Sequence, residues 1–413
     1  MSSGTATGVL RAPVAWRRNL GFLWVAQFTA FFGYSFVNPF LAVYLRNDLG
    51  VHDQSSLAFW TGLALGATGV TMAVANPIWG LLGDRLGLKP SVARAMIGGG
   101  LCVVLMGLVQ SPLQMVGVRA LLGAFAGAQV PAQALVAAET PQADVGRALG
   151  ILASAMGLAR TVGPLVGGIL AVVFTLRHVF LASGIALTLA VLLVIFGVRE
   201  TPRVRGRRGE TREGLRSIGP ASRRSIMGLV VVQGLVQFTF NAVQALLVIR
   251  LIGFDPGHPQ LLVGVAFATA GIATVVSATN YWRFTGRGYR AVATATCAAI
   301  ALATVLIALV PTAVLVVGST ALLGLAWGAV NPTISTLLGL EAPASVRGTV
   351  FGFNASFLAI GLAAGPIVGG IIAAVAGVPT GLLVCASAAA AAAFVVGSFV
   401  REPPVACSAV PAG

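Results

Sequence analysis

Carboxylates are scarce in this chain, since only 11 Asp and Glu stand among 413 residues, against 26 Lys and Arg. Charged residues make up 9% and hydrophobic residues 57%, which excludes an ordinary soluble globular domain. Cysteine and histidine are also few, with four and three residues that show neither metal-ligand spacing nor pairing. We therefore expect no metal site, no disulfide framework and no cofactor.

Long apolar stretches dominate instead. A membrane-spanning helix needs about 20 mostly apolar residues. Twelve stretches qualify, near 20–45, 57–82, 92–110, 113–138, 147–174, 178–198, 225–250, 260–282, 291–310, 312–340, 348–375 and 379–400. The sequence predicts an all-α integral membrane protein with 12 transmembrane helices.

The net charge of +15 would suit a nucleic-acid partner in a soluble protein, but its distribution indicates topology. With the N-terminus inside, the outer side holds only Arg46, Arg177 and Arg250, and the inner side nearly all other basic residues, including nine arginines in 199–224. This is the positive-inside pattern. We predict a multi-pass protein of the inner (plasma) membrane with both termini cytoplasmic, in contact with the lipid bilayer and not with nucleic acid.

An internal repeat organises the chain. Residues 139–202 align without a gap onto 341–404 at an offset of 202, 120–131 align onto 321–332 at 201, and the first span aligns onto the seventh at 206. The repeat predicts two pseudo-symmetric six-helix bundles in 1–198 and 225–413, joined by an Arg-rich cytoplasmic linker in 199–224. Parallel repeats of this kind place a substrate site near mid-membrane between the halves.

Three motifs stand at specific places. The phrase GLLGDRLGLKP (80–90) joins spans 2 and 3, with glycines that let helices approach and Asp84 as a potential helix cap. VRALLGAFAGA (118–128) carries Arg119 in span 4, and GLARTVGPLVGG (157–168) recurs as AIGLAAGPIVGG (359–370) without the arginine.

On these motifs the chain resembles the major facilitator superfamily, and within it the twelve-helix drug:proton antiporters of the MdtG type. The resemblance implies a conformational latch of Gly80, Gly83, Asp84, Arg85, Gly87 and Lys89. It implies proton coupling or substrate orientation for Arg119, for which snorkelling to the outer surface is the alternative. The glycine–proline phrases are expected to form a hinge of Gly163, Pro164, Gly167, Gly168, Gly361, Gly365, Pro366, Gly369 and Gly370. The family carries this phrase in span 5 of exporters, and Ala159 departs from it there.

Polar side chains at helical spacing mark spans 1 and 7, and matching stripes in both halves favour a shared central cavity. The alternative is that these amides bond helices to one another. The predicted substrate-binding residues are Gln27, Phe31, Tyr34, Asn38, Arg119, Arg160, Gln233, Gln237, Phe240, Gln244, Asn331 and Asn354.

Placing all 11 acids on the predicted spans leaves no carboxylate at mid-membrane depth, where the charges are Arg119 and Arg160. Neutral or anionic substrates are therefore favoured over lipophilic cations. A proton carrier has to be sought among acids at inner helix ends, which are Asp84, Glu139 and Glu341.

The sequence thus predicts a monomeric secondary transporter, and not an enzyme, that exports small amphipathic organic molecules by proton-coupled antiport. The alternative is an importer or facilitator of a small organic-anion metabolite. Its predicted partners are the small-molecule substrate and the proton.

Overall fold

The computed structural model describes residues 16–35, 37–200, 220–255, 259–281, 283, 288–343 and 346–401, with only the backbone of 80, 81, 83–85, 143, 220, 221 and 347–349. The described residues form fourteen α-helices, which are α1 Trp16–Ser35, α2 Val37–Asn47, α3 Gln54–Leu86, α4 Leu88–Leu108, α5 Pro112–Phe125, α6 Gln129–Glu139, α7 Val145–Val173, α8 Leu176–Leu192, α9 Pro220–Ile252, α10 Pro259–Asn280, α11 Tyr289–Leu309, α12 Ala313–Glu341, α13 Arg347–Ala376 and α14 Val378–Phe399.

These helices provide 12 segments long and apolar enough to cross a membrane. The helices α1 and α2 together make the first, and α5 and α6 together make the fourth. The predicted fold class is confirmed, although several bounds differ: span 2 was expected over 57–82, whereas α3 continues to Leu86. Most of the predicted linker, 201–219, lies outside the described residues.

The duplication is visible in the backbone. The helices α4 and α11 have 21 residues each, and a glycine precedes each of them with φ of 102° at Gly87 and 91° at Gly288. Only glycine adopts such angles without steric cost, so both halves need it to enter the third helix of the repeat. We call α1–α8 the first half and α9–α14 the second half.

The side that holds Trp16, Arg199 and Arg401 is called the terminal side, and the opposite side the distal side. On the terminal side, Glu200 caps the start of α4 in the first half. Its carboxylate oxygens accept hydrogen bonds from the backbone N–H groups of Leu88 and Lys89, at 2.8 and 2.9 Å. The Lys89 Nζ in turn donates to the Val198 carbonyl at 2.7 Å. A carboxylate at a helix N-terminus satisfies amides that have no partner within the helix and complements the helix dipole.

This cap was not predicted from the sequence. Lys89 of the predicted latch takes part in it, as does the backbone that Gly87 turns. The side chains of Asp84 and Arg85, and the positions of Gly80 and Gly83 as latch contacts, lie outside the described residues. Their latch role stays a prediction.

The two halves meet through glycines on the distal side. In one interface α3 lies against α13, where a Cβ built on Gly62 would overlap the Pro366 carbonyl oxygen and come within 2.9 Å of Gly370 Cα. In its repeat counterpart α7 lies against α10, where a Cβ on Gly264 would come within 3.0 Å of the Pro164 carbonyl oxygen. Small residues allow such close helix packing in membranes, so both interfaces depend on them.

Replacing Glu200 by Gln should destabilise the protein by about 1–2 kcal/mol, because a charge-assisted cap becomes a neutral one. Thermal unfolding in detergent measures the change. Asp144→Asn is the matched control, since Asp144 precedes α7 without a side-chain capping bond. Equal unfolding temperatures for the two variants would contradict the cap.

Replacing Gly62 by Ala should open the distal side, because even a methyl group has no room against α13. Spin labels at Ser55 and Thr380, both exposed at distal helix starts in opposite halves, report the separation by electron–electron distance measurement. We expect a longer-distance population to grow. Gly117→Ala is the control, since a Cβ there meets nothing within 4 Å. An unchanged distance distribution in Gly62→Ala would refute the role of this contact.

Candidate functional site: a central cavity

A cavity of about 430 Å³ lies between the halves at mid-height. Its walls come from α1–α7 of the first half and from α9 and α13 of the second half. The lining residues are Gln27, Ala30, Phe31, Tyr34, Val37, Asn38, Leu65, Thr68, Gly69, Met72, Asn76, Ala95, Arg119, Leu122, Ala126, Gly127, Ala128, Gln129, Val130, Arg160, Asn241, Gln244, Leu362 and Pro366. The described lining thus holds two arginines and no Asp, Glu, Lys or His.

Seven of the twelve predicted binding residues line this cavity, namely Gln27, Phe31, Tyr34, Asn38, Arg119, Arg160 and Gln244. The other five, Gln233, Gln237, Phe240, Asn331 and Asn354, are not part of its described lining. A contribution to substrate binding stays a prediction for all twelve.

Arg119 is held in the wall of the cavity. Only 3% of its surface is exposed. Its Nε donates to the Ala64 carbonyl at 3.3 Å and one Nη donates to Asn38 Oδ1 at 2.9 Å. An arginine at this depth is costly unless it finds polar partners, and here a backbone carbonyl and an amide provide them. In this conformation Arg119 therefore does not snorkel to the surface.

The second half makes the same bond without the charge. Thr320, the repeat counterpart of Arg119 at an offset of 201, donates its hydroxyl to the Ala266 carbonyl at 3.1 Å. Ala266 in turn corresponds to Ala64 at an offset of 202. The link between the second and fourth helices of each repeat is therefore shared, and the positive charge belongs to the first half alone.

Arg160 differs from Arg119 because its side chain is exposed to the cavity. It lies 15 residues into α7, or about 22 Å at 1.5 Å per residue, which is near mid-membrane. Its guanidinium carbon lies 5.4 Å from the centre of the Phe31 ring, within cation–π range. Among the described residues no hydrogen-bond or ion-pair partner contacts Arg160. Leu362, its repeat counterpart, lines the same cavity.

The fourth span is broken beside the cavity. The helix α5 ends at Phe125 and α6 begins at Gln129, with Gly127 at φ 109° between them. Carbonyl groups freed by the break are bound by side chains of the first half: Trp79 Nε1 donates to Ala124 at 2.7 Å and Arg94 to Phe125 at 3.2 Å. The Arg94 guanidinium also stacks on the Trp79 ring, at 3.6 Å.

The corresponding helix of the second half, α12, runs without a break from Ala313 to Glu341. Ala295 stands where Arg94 stands in the first half, at an offset of 201. Arg94, which binds the Phe125 carbonyl at the break, is thus a residue that only the first half carries. The sequence prediction missed the break, and the run of small residues around Gly127 was the available signal.

A second substitution in the repeat explains why the cavity lies against the first half. Trp327 stacks on Phe240 with ring centroids 3.6 Å apart, and this aromatic pair occupies the corresponding space in the second half. The counterparts of these two residues are Ala126 and Tyr34, which both line the cavity. A methyl group in place of an indole leaves the space open.

Of the amides in span 7, Gln233 bonds two helices of the second half, whereas Asn241 makes a bond within its own helix. Gln233 Nε2 donates to Asn331 Oδ1 at 2.7 Å. Asn241 donates to the carbonyl of Gln237 at 2.8 Å and also lines the cavity. Asn354 is 6% exposed and its Oδ1 has no partner within the described residues.

The glycine–proline phrases lie in α7 and α13, with Pro164 and Pro366 inside the helices. In α13, Gly361 and Gly365 lie so close to α9 that a Cβ on either would overlap its backbone. In α7, Ala159 stands in place of the first of these glycines and is fully buried. Whether these segments bend during transport stays a prediction.

Two of the predicted proton carriers, Glu139 and Glu341, are not part of the described cavity lining. Glu139 and Glu341 are the last residues of α6 and α12. The Ser222 hydroxyl donates to Glu341 Oε2 at 3.0 Å, which joins the start of α9 to the end of α12. The side chain of Asp84 lies outside the described residues. Among the described side chains no three His, Cys, Asp or Glu lie close enough to hold a metal ion.

Comparison with solved structures supports the fold. The nucleoside transporter NupG superposes with a TM-score of 0.73 at 16% identity, over 92% of this chain and 98% of that chain. The human organic anion transporter MFSD10 (TETRAN) superposes with a TM-score of 0.67 at 17% identity, over 93% of this chain and 100% of that chain. At such identities the likeness concerns the fold alone.

Comparison of sequences reaches further. Multidrug resistance protein MdtG of Enterobacter lignolyticus (strain SCF1) is 32% identical over 368 residues, which is 88% of this chain and 87% of that protein. The MdtG of Escherichia coli (strain SMS-3-5 / SECEC) is 31% identical over 88% of this chain and 89% of its own length. The family model described as Major Facilitator Superfamily matches residues 23–365. The resemblance seen in the motifs is confirmed, and the chain belongs to the Major Facilitator Superfamily.

Proposed function

We propose that this transporter exports small amphipathic organic molecules, neutral or anionic, by alternating access and proton antiport. The observation that carries the proposal is the central cavity, whose described lining holds two arginines and no carboxylate. A buried arginine disfavours a cationic ligand and attracts an anionic one, since the local dielectric is low.

The size and composition of the cavity suit such a substrate. A volume of about 430 Å³ falls within the range of small-molecule sites. Aromatic and aliphatic side chains such as Phe31, Tyr34 and Leu122 supply apolar contact, while Asn76 and Gln244 supply hydrogen bonds. A mixed lining of this kind accepts amphipathic molecules without demanding one shape.

The interfaces between the halves support alternating access. With both termini in the cytoplasm, the distal side is the outside, and the glycine contacts of α3 with α13 and of α7 with α10 close it. Export requires these contacts to separate while the terminal side closes, where the predicted latch lies.

Similarity to MdtG proteins supports export over import, because those relatives are named for multidrug resistance. The glycine–proline phrase in α7 is the one expected of exporters, but Ala159 departs from it and weakens that support. Import or facilitated passage of a small organic-anion metabolite is the second candidate, and the positive cavity favours it equally. Direction of transport separates the two.

The function is tested by accumulation of matched fluorescent compounds in cells and in inverted vesicles: a naphthalene carboxylate, its methyl ester and a naphthyl trimethylammonium. We expect the protein to lower cellular accumulation of the carboxylate or ester. Arg160→Leu should reduce carboxylate transport about tenfold, because it removes the positive charge that binds the carboxylate. Leucine is chosen because the repeat carries it at the corresponding position, Leu362. Preferential extrusion of the cation, with no effect of Arg160→Leu, would contradict the proposal. Uptake in place of extrusion would establish the second candidate.

Proton coupling is assigned to Asp84, Glu139 or Glu341, because the described cavity lining holds no titratable carboxylate. A carrier outside the cavity would act through the conformational change and not by direct competition with substrate. We expect Gln or Asn at one of these positions to abolish transport driven by a pH gradient in proteoliposomes while substrate counterflow continues. If all three single replacements keep full gradient-driven transport, proton coupling through these residues is refuted.

A further inference from the structure

The charge of Arg160 is unmatched at mid-membrane depth. Its guanidinium rests on Phe31, and among the described residues no carboxylate, carbonyl or amide binds it. A cation–π contact does not supply the guanidinium with a hydrogen-bond acceptor, so most of its N–H donors stay free. Because charged groups inside a membrane are costly, a site of this kind is stabilised when an anion enters the cavity.

A second unpaired polar group lines the same cavity. Gln27 is 1% exposed, and its Oε1 has no hydrogen-bond partner within the described residues. Its Nε2 lies 3.5 Å from the Ala128 carbonyl, a long contact that leaves Oε1 as the atom without a partner. A buried acceptor without a donor costs about 1–3 kcal/mol. A ligand that donates a hydrogen bond here, once the Gln27 side chain turns Oε1 toward the cavity, recovers that cost.

The two groups lie one helical turn apart. Gln27 and Phe31 are four residues apart on α1, which is about 6 Å along the helix, and both line the cavity. Arg160 sits over Phe31. One small molecule can therefore contact Arg160 with one end and Gln27 with the other.

The broken fourth span adds to this positive surface. The first residues of α6, Gln129 and Val130, line the cavity, and their N–H groups have no partner within α6, since its first turn lies at the helix start. A helix N-terminus carries partial positive charge. In the second half α12 is continuous there, and Gln233, the counterpart of Gln27, is bonded to Asn331.

We propose that the substrate is an amphipathic organic anion that also carries a hydrogen-bond donor, with its anionic group at Arg160 and its donor at Gln27 Oε1. The inference deepens the proposed export function and rests on it for the central cavity being the transport site. Phe31 lies between the two contacts and packs against the apolar body of the molecule. The two halves thus differ in role, since the first half binds the polar groups of the substrate.

The test uses three fluorescent naphthalene probes with the protein in lipid nanodiscs. 6-Hydroxy-2-naphthoate has the anion and the donor, 6-methoxy-2-naphthoate has only the anion, and methyl 6-hydroxy-2-naphthoate has only the donor. Equilibrium binding gives two ratios of Kd: acid to ester reports the anion contact, and hydroxy to methoxy reports the donor contact. Wild type should prefer the acid and the hydroxy compound, each by about tenfold.

The variants separate the contacts. Arg160→Leu should abolish the preference for acid over ester and keep the preference for hydroxy over methoxy, while Gln27→Met should do the reverse. Arg160→Leu combined with Leu362→Arg moves the charge to the repeat-related wall and should regain part of the acid preference. Arg160→Gln serves where the leucine variant fails to fold.

Loss of both ratios together in either variant, or a wild type without either preference, would overturn the proposed site. Because binding is measured without transport, the two proposals fail separately. Binding preferences as expected, with no movement of any probe across vesicles, would refute export and leave the site standing. Extrusion of probes with no binding preference would do the opposite.

Discussion

A guanidinium at mid-membrane depth must have polar surroundings, and this constraint accounts for most features of the site. Arg119 meets it with the Ala64 carbonyl and the Asn38 side chain, and so becomes part of the wall. Arg160 meets it only with the Phe31 ring and the cavity itself. The open, polar cavity therefore lowers the free-energy cost of keeping the Arg160 charge at this depth.

Duplication supplied the framework, and divergence supplied the site. Both halves keep the hydroxyl or guanidinium link between their second and fourth helices, the glycine before their third helix and the glycine contacts to the opposite half. The two halves differ in the free volume that they leave at the centre of the molecule. Trp327 on Phe240 fills the second half, whereas Ala126 beside Tyr34 leaves the first half open. The cavity is thus asymmetric in a nearly symmetric frame.

The sequence was sufficient for the features that depend on composition and spacing. Twelve spans, the repeat and the depth of Arg160 follow from apolar length and helix rise alone. What it did not reveal depends on contacts between distant positions: Glu200 at the start of α4, the break after Phe125 held by Trp79 and Arg94, and the bond of Gln233 to Asn331. A stripe of amides on a helix has the same spacing whether it faces a cavity or a neighbouring helix, and only packing decides between these.

The central claim is that substrate occupies the space that Ala126 leaves beside Tyr34. Ala126→Trp tests it most directly, because it fills this space with the side chain that the second half already carries at Trp327. Measured in nanodiscs, the Kd of 6-hydroxy-2-naphthoate should rise about tenfold or more while the thermal unfolding temperature is maintained. An unchanged Kd in a folded Ala126→Trp protein would contradict the account, since substrate would then bind elsewhere.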